Sequence, residues 1–293
     1  MPQWQGKSRG TTLGYRIFFF VCRHLGIYPA YFILRFVAGY YFLFSWTSSG
    51  HIYRYFRRLG IGRVSAFFRI YRNYYVFGQT LLDKVMVMAG IDRDTFTYDF
   101  DGEDNLRAIV AQGKGGILLS AHVGNWEAAG HLLRRLQTRV NVVMYDGEHQ
   151  QIKQYLESVT GGHNFRVIVI GEDMSHVYAI GEALQKNELV CLHADRFLEG
   201  NKTLGLPFLG GEALFPQGPF QLAAGFRVPV SLVFAFKESA RHYHFFGSPL
   251  YQRGGEPKEE FTERLMRAFV GDVEQKLRQY PEQWFNYYNF WYK

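Results

Sequence analysis

The first 82 residues contain no Asp or Glu; the first acid is Asp83. The same stretch holds 11 Lys and Arg, from Lys7 to Arg72, and 23 of the chain's 52 aromatic residues. The rest of the chain carries 22 Lys and Arg against 26 Asp and Glu, a net of −4. The overall charge of +7 therefore resolves into a basic aromatic front and a slightly acidic body. We divide the chain accordingly, into a helical region at 1–82 and an α/β body at 83–293.

A basic segment suits either nucleic acid or an anionic membrane. The apolar content decides between them. Phe18-Phe19-Phe20 and Tyr40-Tyr41-Phe42-Leu43-Phe44 need burial in lipid or protein, and a nucleic-acid arm has no use for them. Tyr and Trp belong at the headgroup level, and Arg snorkels there. Gly26 to Trp46 is about long enough to span a bilayer, but Arg35 near its middle costs roughly 2.5–3.5 kcal/mol. A full span and an in-plane helix pair broken near Gly26 to Pro29 both fit. A cleavable signal does not fit: the apolar run after Arg16 ends at Arg23, and no small-residue cleavage site follows.

From Leu106 onward the pattern becomes α/β. Of the 293 residues 47% are hydrophobic and 20% charged, which excludes disorder as the dominant state. Ile117–Ser120, Val140–Tyr145, Phe165–Ile170 and Leu189–His193 read as short strands. Asn125–Gln137, His149–Thr160 and Ser175–Lys186 read as the helices between them. This alternation predicts βαβ units and a mostly parallel mixed sheet flanked by helices. Val228–Phe236 and Tyr243–Ser248 read as an antiparallel pair, and Lys258–Arg278 as an amphipathic helix. The two cysteines, Cys22 and Cys191, cannot build a disulfide framework and fit a reducing compartment.

In such sheets ligands sit beyond the carboxyl ends of the strands. Two polar clusters fall there: Ala121-His122-Val123-Gly124-Asn125-Trp126-Glu127, and His193-Ala194-Asp195-Arg196. His122 ends a buried strand and Glu127 starts a helix five residues on. A carboxylate on one imidazole nitrogen fixes the tautomer, which leaves the other nitrogen to take a proton. No protein nucleophile stands beside the pair, so the proton comes from an external hydroxyl or amine. The amides of the helix start favour an anion or a developing oxyanion.

The motif His122-x4-Glu127, set in Leu-Leu-Ser-Ala-His-Val-Gly-Asn-Trp-Glu, resembles the HX4(D/E) motif of glycerolipid acyltransferases. The surrounding segments are most similar to the lipid A secondary (lauroyl/myristoyl) acyltransferases. His193 to Arg196 resembles that family's acidic second block. Pro207-Phe208-Leu209-Gly210 with Gln217-Gly218-Pro219, Ala223 to Val230, and Pro281-Glu282-Gln283-Trp284-Phe285 resemble three further blocks in the same order. The resemblance covers residues 110–290. It implies a glycerolipid-acyltransferase-like fold with N-terminal membrane-associated helices. It also implies acyl transfer from a thioester, on acyl carrier protein or coenzyme A, to a lipid hydroxyl or amine. His122 would be the base and Glu127 its support. Arg196 would clamp an anionic headgroup with Asp195 orienting it, and Asn125 and Gly218 would border the substrate. The thioester is a co-substrate, so no cofactor and no metal is implied. The location implied is the cytoplasmic face of the bacterial inner membrane.

Where the family continues past the tail tryptophan with His and Arg, this chain has Asn286-Tyr287-Tyr288-Asn289-Phe290-Trp291. An acceptor such as an amino-acid lipid or a polyene-type lipid fits that change as an alternative to lipid A. If acyl carrier protein is the donor, its docking patch falls near Arg54, Arg57 and Arg58. A different class of reading is a metallohydrolase built on Glu127 and His131, four apart on one helix face, with His122, His193 and Asp195. Another is a non-catalytic membrane scaffold. The sequence contains no G-x-S-x-G, P-loop or G-x-G-x-x-G.

Overall fold

A computed structural model describes residues 12–89, 95–125, 136, 138–145, 166–171 and 173–292. The described residues open with four helices: α1 (Thr12–Leu25), α2 (Ile27–Phe44), α3 (Trp46–Arg58) and α4 (Arg63–Ala89). The expected break near Gly26 to Pro29 falls at Gly26 itself, whose φ of +84° a side chain would resist. Pro29 then sits in the first turn of α2, where its missing N–H costs nothing. α4 runs through the 82/83 boundary drawn from the charge distribution.

α2 is two-faced. Ile27, Ala30, Tyr31, Leu34 and Ala38 are buried, and α2 packs along α4. Tyr28, Phe32, Phe36, Tyr40 and Phe44 recur every four residues and stay exposed. That spacing places them one above another on the opposite face.

Among the described residues the body holds nine strands. β1 (Thr97–Asp101), α5 (Glu103–Ala111), β2 (Gly116–Ser120), β3 (Val140–Tyr145) and β4 (Arg166–Ile170) come first. α6 (Ser175–Gln185), β5 (Leu189–His193), β6 (Thr203–Phe208) and β7 (Gly211–Pro216) follow. α7 (Gly218–Phe226), β8 (Val230–Lys237), β9 (His242–Gly247) and α8 (Lys258–Gln279) complete it. Seven strands form one sheet in the order β1-β9-β8-β2-β5-β3-β4, and β6 and β7 form a separate hairpin. Strands β8, β2, β5, β3 and β4 are mutually parallel, and β8 pairs antiparallel with β9. The mostly parallel mixed sheet and the β8–β9 pair match the sequence reading. β1, α5 and the β6–β7 hairpin were not anticipated. Nearly all of the expected helix Asn125–Gln137, and all of His149–Thr160, lie outside the described residues.

β2 is central and all five of its residues are buried. One apolar core joins its Ile117 and Leu119 to Phe220, Phe236, Phe261 and Phe269 of the body and to Ile52, Phe56 and Ile70 of the front helices. The front is therefore built into the body. Polar contacts fasten it further. The Asn73 amide on α4 donates to the carbonyls of Glu282 (2.9 Å) and Trp284 (3.0 Å), and the Tyr55 hydroxyl on α3 donates to that of Pro281 (2.9 Å). Arg69 pairs with Glu282. These bonds fix the tail segment that crosses the carboxyl end of the sheet.

Candidate active site

β2 and β5 are paired parallel strands, with Ser120 opposite His193. Residues two beyond that pair, His122 and Asp195, leave the sheet side by side. Asp195 Oδ2 accepts the His122 backbone N–H (3.0 Å), and Oδ1 bonds His122 Nδ1 (2.8 Å). The carboxylate on the base in the structure is thus Asp195; Glu127, Trp126 and His131 lie outside the described residues. Both Asp195 carboxylate oxygens bond His122, and the charge of Arg196 also acts on Asp195. Arg196 reaches the tail, where its Nη2 donates to the Phe285 carbonyl (2.9 Å) and its guanidinium lies 6.0 Å from the Tyr288 ring centre.

Burial alone would raise the Asp195 carboxyl. His122, which bonds it, and Arg196 nearby outweigh that and hold it well below the usual carboxylate range. His193 is the third member of the cluster. Its Nδ1 lies 3.0 Å from His122 Nε2, and the two rings meet edge-on with centres 4.1 Å apart. Burial, and then His122 beside it, lower the His193 pKa well below the ordinary imidazole value. Burial pushes the Cys191 thiol up to about 12, which removes it as a thiolate nucleophile.

The turn carrying His122 is held from three sides. Gly124 N–H donates to Gln283 O (2.8 Å), Asn125 N–H to Ala235 O (2.7 Å) and Phe285 N–H to His122 O (3.4 Å). Gly124 has φ +61°, and a Cβ there would stand 1.9 Å from the Ala235 carbonyl oxygen, so the position requires glycine. The Asn125 amide donates to Thr80 O (3.2 Å) and to the Tyr243 hydroxyl (3.1 Å). The Tyr243 hydroxyl donates in turn to Asp83, which also bonds Lys237 Nζ (2.5 Å) and the Tyr31 hydroxyl. A buried polar chain thus runs from α2 and α4 to the residue three beyond the base.

The amides of His122, Val123, Gly124 and Asn125 all go to Asp195, Ala121, Gln283 and Ala235, so these four do not form an oxyanion site. The expected helix-start amides beyond Asn125 lie outside the described residues. Asn125, 4% exposed, spends its amide donors inside the fold. Gly218 is exposed at the start of α7, on an element distinct from the two turns and the tail. Sequence reasoning brought His193 and Asp195 to His122 only in the metallohydrolase reading, and missed Tyr243, Asp83 and Lys237 as supports. One signal was present: His122 and Asp195 stand at the same distance beyond two apolar strands. The clue missing from the chain was that those strands are neighbours.

His122, His193 and Asp195 bring one ligand atom each within 4.8 Å of one another, a spacing that also suits a cation. A cation there would displace a hydrogen bond at the His122 nitrogen that ligates it.

The fold is a mostly parallel α/β sheet that presents an imidazole–carboxylate pair at the ends of adjacent central strands, an arrangement able to take a proton from an external nucleophile. The family model described as bacterial lipid A biosynthesis acyltransferase matches residues 15–293, and the chain belongs to that family. Phosphatidylinositol mannoside acyltransferases from two strains of Mycobacterium tuberculosis are each 32% identical to it over 127 residues. That match covers 42% of this chain and 39% of each relative, so it spans about two fifths of their length. The crystal structure of the 1-acyl-sn-glycerophosphate acyltransferase PlsC from Thermotoga maritima aligns with 84% of this chain and 97% of its own, at 14% identity and a TM-score of 0.39.

Proposed function

We propose that this protein is a membrane-associated acyltransferase that moves a fatty acyl chain from an acyl thioester to a hydroxyl or amine of a lipid acceptor. The observation that carries the reading is the His122–Asp195 pair. Asp195 holds Nδ1 of His122, which leaves Nε2 as the basic nitrogen. The acceptor's proton passes to Nε2 as its oxygen or nitrogen attacks the thioester carbonyl. The tetrahedral intermediate collapses with cleavage of the carbon–sulfur bond, and the thiolate takes the proton back from His122. Asp195 stabilises the imidazolium in between, and no acyl-enzyme forms. Glu127 supplies a second carboxylate near the base by virtue of the motif. Arg196 faces an anionic headgroup, on the chemistry of the guanidinium.

Membrane association rests on the exposed side of the front. α2 is the one described helix long and apolar enough to cross a membrane. Its inner face is packed on α4, and its Tyr31 hydroxyl bonds Asp83 inside the protein. These contacts favour the in-plane arrangement over a span. Phe32, Phe36, Phe44, Trp46 and Phe68 are exposed, and each is worth about 1.5–3 kcal/mol on full burial. Exposed Arg16 and Arg23 lie on α1 and exposed Arg35 on α2, helices that carry no acid, and they suit anionic headgroups. The face would lie against the cytoplasmic leaflet of the inner membrane, with acyl carrier protein or coenzyme A delivering the acyl chain.

The test is lipid mass spectrometry of cells with and without the gene. One lipid class that loses one acyl chain on deletion names both acceptor and chain. A lipidome unchanged in every acylated class contradicts the reading.

A further inference from the structure

We propose that His193 is a positioning residue that caps the base: its Nδ1–H donates to the lone pair on His122 Nε2, and the acceptor's hydroxyl or amine must take its place before a proton can move. The inference rests on the acyl-transfer reading above and extends it to how the site discriminates acceptor from water.

The direction of the bond follows from the partners. A carboxylate only accepts, so His122 Nδ1 carries the hydrogen that bonds Asp195 Oδ1. In the neutral ring Nε2 then has only a lone pair. The contact of 3.0 Å to His193 Nδ1 is a hydrogen bond only if His193 is the donor. Burial keeps His193 neutral, so it caps the base without adding a charge. The charged and titratable groups facing it are His122, Asp195, Arg196 and Lys84. His122 cannot swing away from the cap, because Asp195 grips both its backbone N–H and its Nδ1. His193 ends β5 in register with Ser120, so its backbone is as fixed as the base's.

The cap also resets itself. Once Nε2 has taken the acceptor's proton, His122 carries N–H groups at both nitrogens and no lone pair. The bond from His193 Nδ1–H to Nε2 is then broken. The bond re-forms only when the departing thiolate has removed that proton. A base that is covered whenever the acceptor is absent is also withheld from water, which would otherwise hydrolyse the thioester.

The test compares the full chain with His193→Leu, which removes the donor, and His193→Asn, whose amide nitrogen falls near the place of Nδ1. Dodecanoyl thioester is supplied without lipid, to read hydrolysis, and with vesicles of total polar lipid extract, to read transfer. His193→Leu is expected to raise the ratio of hydrolysis to transfer about tenfold, the scale of one hydrogen bond, with His193→Asn within about twofold of wild type. An unchanged ratio in His193→Leu, or an equal change in both variants, overturns the proposal. Nitrogen-15 spectra of histidine-labelled protein read the cap without turnover. The His122 Nε2 resonance of the neutral ring should shift in His193→Leu and hold in His193→Asn; a resonance indifferent to both overturns the cap. A wild-type protein that neither hydrolyses nor transfers the thioester would instead sink the acyl-transfer reading, while the spectra still decide the cap.

Discussion

At the scale of single residues, the account turns on how His122 is held. Asp195 meets it twice, through the backbone and through the ring, and is almost fully buried. Asp195→Asn keeps the size and loses the charge that stabilises the imidazolium. It should lower kcat by about 10²–10⁴ with little change in KM, as measured by steady-state transfer to lipid vesicles. A second consequence concerns pH. The pKa of His193 is lowered in the fold, whereas in the unfolded chain a histidine protonates near pH 6.5. The stability this gives is present above that value and is lost as pH falls through it, because only the unfolded state gains the proton. Asp195 is also lowered, so its contribution is present above the unfolded carboxylate value of about 3.9 and is lost only in stronger acid. Between about pH 6.5 and 4 the melting temperature should therefore fall in wild type and fall less in His193→Asn, by thermal denaturation across that range. His122 as a candidate was legible from the HX4E spacing, since a strand-ending His is a local pattern. Its carboxylate partner was not, because 73 residues separate them and only the β2–β5 pairing brings them together.

At the scale of elements, the base depends on pieces far from it in sequence. Helix α4, strands β8 and β9 and the tail converge on the turn from Ala121 to Asn125 through Thr80, Ala235, Tyr243 and Gln283. Tyr243→Phe deletes the hydroxyl between Asn125 and Asp83 and leaves the ring in place. The lost bonds should cost about 1–3 kcal/mol, read as a lower melting temperature. Activity should fall further than stability predicts, because the turn loses a support. The buried strands were legible because Ile117 to Ser120 and Leu189 to His193 are short apolar runs closed by polar clusters. β1 was not: its Thr-Tyr-Asp-Phe-Asp alternates exposed and half-buried residues at the sheet edge, which gives no apolar run. The β6–β7 hairpin carries Gly205 and Pro207 within one strand, residues that read as turns rather than strands.

At the scale of the whole molecule, the acid-free front is a layer fused to the catalytic body and turned outward on its aromatic side. Its first acid, Asp83, is completely buried and joins α4 to Tyr31 of α2 and Lys237 of β8. The charge split in the sequence therefore marks two faces of one core. Phe32→Ser combined with Phe36→Ser should weaken sedimentation with anionic vesicles by more than about tenfold while leaving the melting temperature nearly unchanged, because both side chains are exposed. The proposed membrane role of this face and the proposed chemistry at the sheet edge meet in one assay. The most direct measurement is acyl transfer by His122→Ala protein bound to vesicles, from a dodecanoyl thioester to lipid acceptor. The account predicts a loss of at least about 100-fold with vesicle binding unaltered and the protein still folded. Transfer within about twofold of wild type would contradict the assignment of His122 as the base, and with it the central claim.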